Sequence, residues 1–220
     1  MKIALIMLAA GDSRRFGENK LLYELDKKPM YLYTLEKLVL VAQSITSARP
    51  VGKSLGKEDP VREQAGGIFP GAASKSDAAV TVVTQYEEIA DAARRAGALV
   101  LRNPHPEEGI SSSLKIGLQA NLDADACLFT VSDQPWLAEA TIAALVRRLE
   151  ASQKGIACVS CKGKPGNPCI FTRKYYPALL SLTGDTGGKA VIKANPEDTA
   201  FLLIEDAREL QDIDRMAELP

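Results

Sequence analysis

The sequence predicts a doubly wound α/β domain built on a mainly parallel sheet, and three observations carry that prediction. Short aliphatic runs recur at residues 2–8, 79–84 and 126–131, each of the length and apolarity of a strand buried on both faces. Stretches with apolar residues at near-helical spacing alternate with them, the pattern of strand–helix–strand units. A chain of 220 residues is long enough to bury one core of this class.

The first strand, Lys-Ile-Ala-Leu-Ile-Met-Leu, stops abruptly at a loop running from Ala9 to Lys20. The loop holds two glycines, two arginines and a lysine. Gly11 and Gly17 permit left-handed backbone and close approach of main chain to a ligand. Successive main-chain N–H groups in such a turn form an anion-binding nest. Arg15 and Lys20 add fixed positive charge and bond phosphate oxygens. A strand that ends in a cationic glycine loop predicts a phosphate site; a surface loop of solvated charges is the competing account. The spacing matches neither G-x-G-x-x-G nor G-x-x-x-x-G-K-[ST].

Residues 20–25 read as extended and 26–29 as a turn, and a helix is expected over 30–42. Residues 44–79 are rich in Gly, Ser, Lys and Pro with little periodicity, and read as a surface insertion in a single 1–220 domain. A strand over 79–84, a helix over 87–96 stopped by Gly97, and a short strand over 98–101 follow. Gly109 leads through three serines into a helix over 114–121. The strand at 126–131 precedes a helix over 139–151. The last third alternates less cleanly, with strands expected at 155–161, 168–172 and 199–204, and helices at 173–182 and 188–194.

Bulk properties exclude several classes. The net charge of −1 lacks the basic excess of a dedicated nucleic-acid binder. No apolar run reaches the length of a membrane span, and the N-terminal strand is no signal peptide. Four cysteines are too few for a disulfide scaffold, so a cytoplasmic setting is expected. Cys158 and Cys161 have C-x-x-C spacing, but in a strand residues three apart face opposite sides. His105, the one histidine, lies between prolines and reads as a loop residue.

Asp133 directly follows a strand end, where open α/β sheets bind ligands. One or two carboxylates suffice for a hard divalent cation whose other ligands are water and phosphate. The alternative is an N-cap for a helix starting near Pro135. Asp185, in Gly-Asp-Thr-Gly-Gly, is either a second metal carboxylate or a cap for the helix after Gly188. Ser111 to Ser113 offer hydroxyls and main-chain N–H groups at a helix start, suited to a base or ribose and equally to capping.

Leu8, Ala9, Ala10, Gly11, Ser13, Arg15, Gly17 and Lys20 match the L-A-A-G-x-S-x-R-x-G-x-x-K signature. On these residues the chain resembles the nucleotidyltransferases with a GT-A-like, Rossmann-related fold of the nucleotide-diphospho-sugar-transferase type. Gly109–Leu114, Ser132–Pro135 and Gly184–Gly188 follow in the order of that family. Among its branches, Leu8-Ala9-Ala10-Gly11 with Ser132-Asp133-Gln134-Pro135 is most similar to the molybdenum cofactor cytidylyltransferases, which join CTP to molybdopterin-bound molybdenum and release pyrophosphate.

The resemblance implies a nucleotide site of Leu8, Ala9, Ala10, Gly11, Ser13, Arg15, Lys20, Ser111 and Ser113. It implies catalytic roles for Arg15, Lys20 and Asp133, and Mg²⁺ held by Asp133 and Asp185. The Ala10 methyl is expected to set the room for the base, favouring a pyrimidine. The implied partners are CTP or another nucleoside triphosphate, a phosphorylated small-molecule acceptor, and a target molybdoenzyme; no nucleic acid and no membrane are expected. The alternatives are a nucleotidyltransferase for a sugar or polyol phosphate, and a non-catalytic molybdoenzyme maturation chaperone. The resemblance assigns no catalytic role to the ending Leu210-Gln211-Asp212-Ile213-Asp214.

Overall fold

The computed structural model describes residues 1–11, 19–47 and 78–213. Ser13, Arg15 and Gly17 lie outside the described residues, as does most of the predicted insertion. The chain runs β1 (Ile3–Ala9), β2 (Glu24–Leu25), β3 (Lys28–Pro29), α1 (Met30–Ser47), β4 (Ala78–Thr84), α2 (Glu87–Arg95) and β5 (Leu99–Arg102). It continues through α3 (Ile110–Gln119), β6 (Ala126–Val131), α4 (Glu139–Ser152), β7 (Ile156–Cys161), β8 (Lys164–Thr172), α5 (Tyr176–Leu180), α6 (Lys189–Ala194) and β9 (Thr199–Leu203).

β1 is buried along its whole length, as its unbroken apolarity demands. It lies between β4 and β6, parallel to both, in a seven-stranded sheet ordered β5-β4-β1-β6-β8-β7-β9. Alternate residues of β1 face opposite layers. Ile3, Leu5 and Met7 pack with Leu35, Leu38 and Val41 of α1, Ile89 of α2 and Leu145 and Val146 of α4. Ala4, Ile6 and Leu8 pack with Leu114 and Leu118 of α3, Leu179 of α5 and Ile192 of α6. Helices therefore cover both faces, and the sheet is doubly wound.

Four of the six strand pairings in this sheet are parallel. β8 departs from the pattern and runs antiparallel to β6 and β7. The cause is local. Lys162 and Gly163 take left-handed backbone (φ 50° and 77°), a two-residue turn that makes β7 and β8 a hairpin. Asp26 and Lys27 do the same between β2 and β3.

The predicted excursion at 44–79 is regular at both ends. Residues 44–47 form the end of α1, and 78–79 open β4. α3 begins at Ile110, four residues earlier than periodicity suggests, so the three serines occupy its first turn.

Candidate active site

The sheet reverses its order beside β1, with β4 on one side and β6 on the other. Such a switch opens a crevice beyond the carboxyl ends of the strands. Lys20 reaches it from the loop after β1 and Asp133 from the loop after β6. Lys20 Nζ donates to Asp133 Oδ2 at 2.7 Å, with the two side chains 12% and 19% exposed. An ion pair this far from bulk water is electrostatically stronger than a surface pair. Asp133 Oδ1 is buried and has no hydrogen-bond partner among the described residues. An unpartnered buried carboxylate oxygen is rare and calls for a ligand, either a cation or a donor. The capping alternative fails, because the next helix begins only at Glu139 and takes no side-chain cap.

The start of the glycine loop is held from outside. Ser132 Oγ donates to the Leu8 carbonyl at 3.0 Å, and Thr84 Oγ1 to that of Ala9 at 2.8 Å. Gln85 Nε2 donates to the Ala10 carbonyl at 2.9 Å, and the Tyr86 hydroxyl to that of Gly11 at 2.8 Å. Four consecutive carbonyls are thus tied down by side chains from the ends of β4 and β6. Gly11 takes no left-handed backbone, contrary to the use expected of it. Among the described residues a Cβ there would meet nothing within 4 Å, which leaves its exposed main chain open to close approach. Ala10 is buried at 3% exposure, which sets its methyl against protein.

The other two motifs meet each other. Gly109 has φ 86° and ψ −176°, a region only glycine occupies comfortably. A Cβ on it would lie 2.5 Å from the Gly184 carbonyl carbon and 2.5 Å from Asp185 Oδ1. The Ser111 N–H donates to the Gly184 carbonyl at 3.2 Å. The segments that start at Gly109 and Gly184, 75 residues apart, are therefore one surface. Asp185 is exposed on it and does not cap α6, whose N-terminus takes no side-chain bond. No hydrogen bond or ion pair joins Asp185 to Asp133 or Lys20 among the described residues.

The serines face inward. All three are buried. Asn103 Nδ2 donates to Ser112 Oγ and Ser113 Oγ, each at 2.8 Å, while Asn103 Oδ1 accepts from the His105 N–H at 2.9 Å. Ser113 thus builds the start of α3. Sequence reasoning missed Asn103, Thr84, Gln85 and Tyr86. The signal was present, since Thr84 closes one strand, Gln85 and Tyr86 follow it directly and Asn103 follows the next, positions where ligand-site residues gather. Cys127, Cys158, Cys161 and Cys169 are all buried. Burial pushes the Cys158 thiol up to about 11, far from the thiolate character that thiol exchange needs. No group of three or more metal-ligating side chains occurs among the described residues.

A stretch of 38 residues is 53% identical to the probable molybdenum cofactor guanylyltransferase of Pyrococcus horikoshii, covering 17% of this chain and 20% of that protein. The fold is shared with Rv0371c of Mycobacterium tuberculosis, with a TM-score of 0.69 and 20% identity over 99% of this chain and 95% of that one. A manganese complex of the same mycobacterial protein gives a TM-score of 0.61 at 19% identity, over 94% and 90% of the two chains. Molybdopterin-guanine dinucleotide biosynthesis protein A of Archaeoglobus fulgidus gives 0.63 at 14% identity, over 98% and 94%. Residues 5–199 match the MobA-like NTP transferase domain, so the chain belongs to that family of nucleotidyltransferases.

Proposed function

We propose that the protein transfers CMP from CTP to the molybdopterin form of the molybdenum cofactor, releasing pyrophosphate. The observation that carries a phosphoryl-transfer role is the Lys20–Asp133 pair at the switch point, with one Asp133 oxygen unpartnered among the described residues. An oxygen of the acceptor's phosphate monoester attacks the α-phosphorus as the α–β bridging P–O bond breaks. The electron pair leaves with pyrophosphate. That acceptor is already anionic, so no general base is required, and catalysis rests on positioning and charge stabilisation.

Asp133 Oδ1 fits a divalent cation, for which Mg²⁺ is our assignment, and Asp185 is the second carboxylate we assign to it. When bound, such a cation neutralises triphosphate charge. Lys20 sits beside Asp133 and stabilises the departing pyrophosphate. Arg15, outside the described residues, keeps the same role. Leu8 and Ala9 lead into the site as the end of β1, and the main chain around Ala10 and Gly11 cradles the nucleotide, their carbonyls held by Gln85 and Tyr86. Ser13, Ser111 and Ser113 border the nucleoside, with Ser113 acting through the α3 start that it helps to build.

The Ala-Ala-Gly loop and the Asp-Gln-Pro segment support CTP. GTP is the second reading, favoured by the stretch shared with the Pyrococcus horikoshii protein. Pyrophosphate release with Mg²⁺, each nucleoside triphosphate and a panel of acceptors tests the proposal. The panel comprises the molybdenum cofactor, a sugar phosphate and a polyol phosphate. Turnover with CTP and the molybdenum cofactor is expected. Turnover only with another phosphorylated acceptor would replace the acceptor assignment. Absence of turnover in every combination would leave a maturation chaperone.

A further inference from the structure

The C-terminal segment 206–213 lies across the loop that carries Asp133. Gln134 is 2% exposed, and its amide nitrogen donates to Asp212 Oδ1 at 2.7 Å and to the Leu210 carbonyl at 3.2 Å. Both neighbours are acceptors, so the orientation of the amide is fixed. The Ile213 N–H donates to the main-chain carbonyl of Asp133 itself at 3.1 Å. The Ala138 N–H donates to Glu209 Oε2 at 2.9 Å, and the Arg208 guanidinium sits 5.2 Å from the centre of the Trp136 ring.

The same segment reaches the other half of the ion pair. Ile213 is fully buried among Leu25 and Met30, on the hairpin and helix that follow Lys20, with Tyr23, Tyr33 and Trp136 around it. Leu210 packs on Gly166 so closely that a Cβ there would lie 2.6 Å from a Leu210 methyl. One strap therefore grips the loop of Asp133 by hydrogen bonds and the segment after Lys20 by apolar packing.

From this geometry we infer that the strap is a positioning element of the active site, with Gln134 and Asp212 as positioning residues that hold Asp133 in register with Lys20. Among the described residues no hydrogen bond or ion pair joins either side chain to Lys20 or to the Asp133 carboxylate; they act on the backbone that aims it. Residues that orient a ligating carboxylate typically change metal affinity or activity about 10–100-fold when removed. The inference rests on Asp133 being the carboxylate that works in the site.

The test reads Mn²⁺ binding by electron paramagnetic resonance in the presence of CTP and, separately, GTP. The proteins are the parent, Gln134→Ala, Asp212→Ala, the double variant, Asp212→Asn and Asp133→Asn. Thermal midpoints check that each is folded. Each single alanine variant is expected to weaken Mn²⁺ binding about tenfold. The double variant should lose less than the product of the two single losses, because the contact between Gln134 and Asp212 is then lost only once. Asp212→Asn keeps an acceptor for the amide and should bind within about threefold of the parent.

Parent-like Mn²⁺ binding in both alanine variants would overturn the inference, as would multiplicative losses in the double. Weakening that follows the drop in thermal midpoint across all variants, Asp212→Asn included, would reduce the strap to a stabilising contact and overturn it too. Unchanged Mn²⁺ binding in Asp133→Asn would remove the active-site reading beneath it.

Discussion

Gly109 is where the site tolerates a side chain least. An alanine there takes φ 86° and ψ −176°, which costs about 1–3 kcal/mol of backbone strain. Its methyl would also stand 2.5 Å from the Gly184 carbonyl carbon and 2.6 Å from the carbonyl oxygen, against main chain rather than a flexible side-chain end. Crowding of that kind costs about 1–3 kcal/mol. The sum is about 2–6 kcal/mol, or about 4–24 °C in Tm at about 2–4 °C per kcal/mol for a chain of this size. Gly97 supplies the control. Its φ is 81°, but a Cβ there meets nothing within 4 Å, so Gly97→Ala carries only the conformational cost, about 1–2 kcal/mol. Urea unfolding of both variants measures the difference. Gly109→Ala is expected to lose at least about 1 kcal/mol more than Gly97→Ala, and to lose turnover as the Gly184–Asp185 turn is pushed away. Equal midpoints would refute the claim that these two segments are locked face to face.

Lys20→Ala and Asp133→Asn should each reduce turnover about 10²–10³-fold at saturating metal and nucleotide while remaining folded; near-normal rates in both would remove them from the mechanism. The Lys174 ammonium, the Tyr175 hydroxyl and the Gly155 N–H hold the Asp198 carboxyl well below the usual carboxylate range. Its contribution to stability is therefore complete above the unfolded value near pH 4, and is lost as pH falls below it. Urea midpoints between pH 7 and pH 2 should fall less steeply in Asp198→Asn than in the parent. Burial pushes the Cys127 and Cys158 thiols up to about 11, so a thiolate-selective reagent at pH 8 should label neither in the native protein and both in guanidinium. The parent should prefer CTP to GTP by about 10–200-fold in kcat/KM, and a preference for GTP would cancel the cytidylyl assignment.

The sheet was legible because its central strands carry their burial in their composition. An unbroken run such as Ile-Ala-Leu-Ile-Met-Leu-Ala has no polar face to offer solvent, and the structure buries all of it. That Lys20 and Asp133 lie at one cleft was legible for a topological reason, since both follow strand ends that a doubly wound sheet aligns, while their direct ion pair appears only in the structure. What stayed hidden depends on long-range contact. Nothing in Gln134 or Asp212 announces that they bond across 78 positions. The antiparallel entry of β8 turned on one left-handed pair, Lys162 and Gly163, in a segment that reads as two ordinary strands. Ala10 illustrates a different limit. Its place in the loop suggests a methyl facing the base, yet the side chain is buried against protein and its carbonyl is held by Gln85.

The four side chains that hold the glycine loop have a consequence for how the protein comes to be active. Thr84 and Gln85 lie 75 residues beyond the carbonyls they grip, as does Tyr86, and Ser132 lies 124 residues beyond its own. The loop at the very start of the chain therefore acquires its shape only after β4 and β6 have docked. A chain emerging from the ribosome holds these four carbonyls unsecured until β6 has been made. Contacts of such sequence separation close slowly, because their loop entropy is paid before they reward it. In refolding, nucleotide-binding competence should thus appear with the last cooperative step and not with early helix formation.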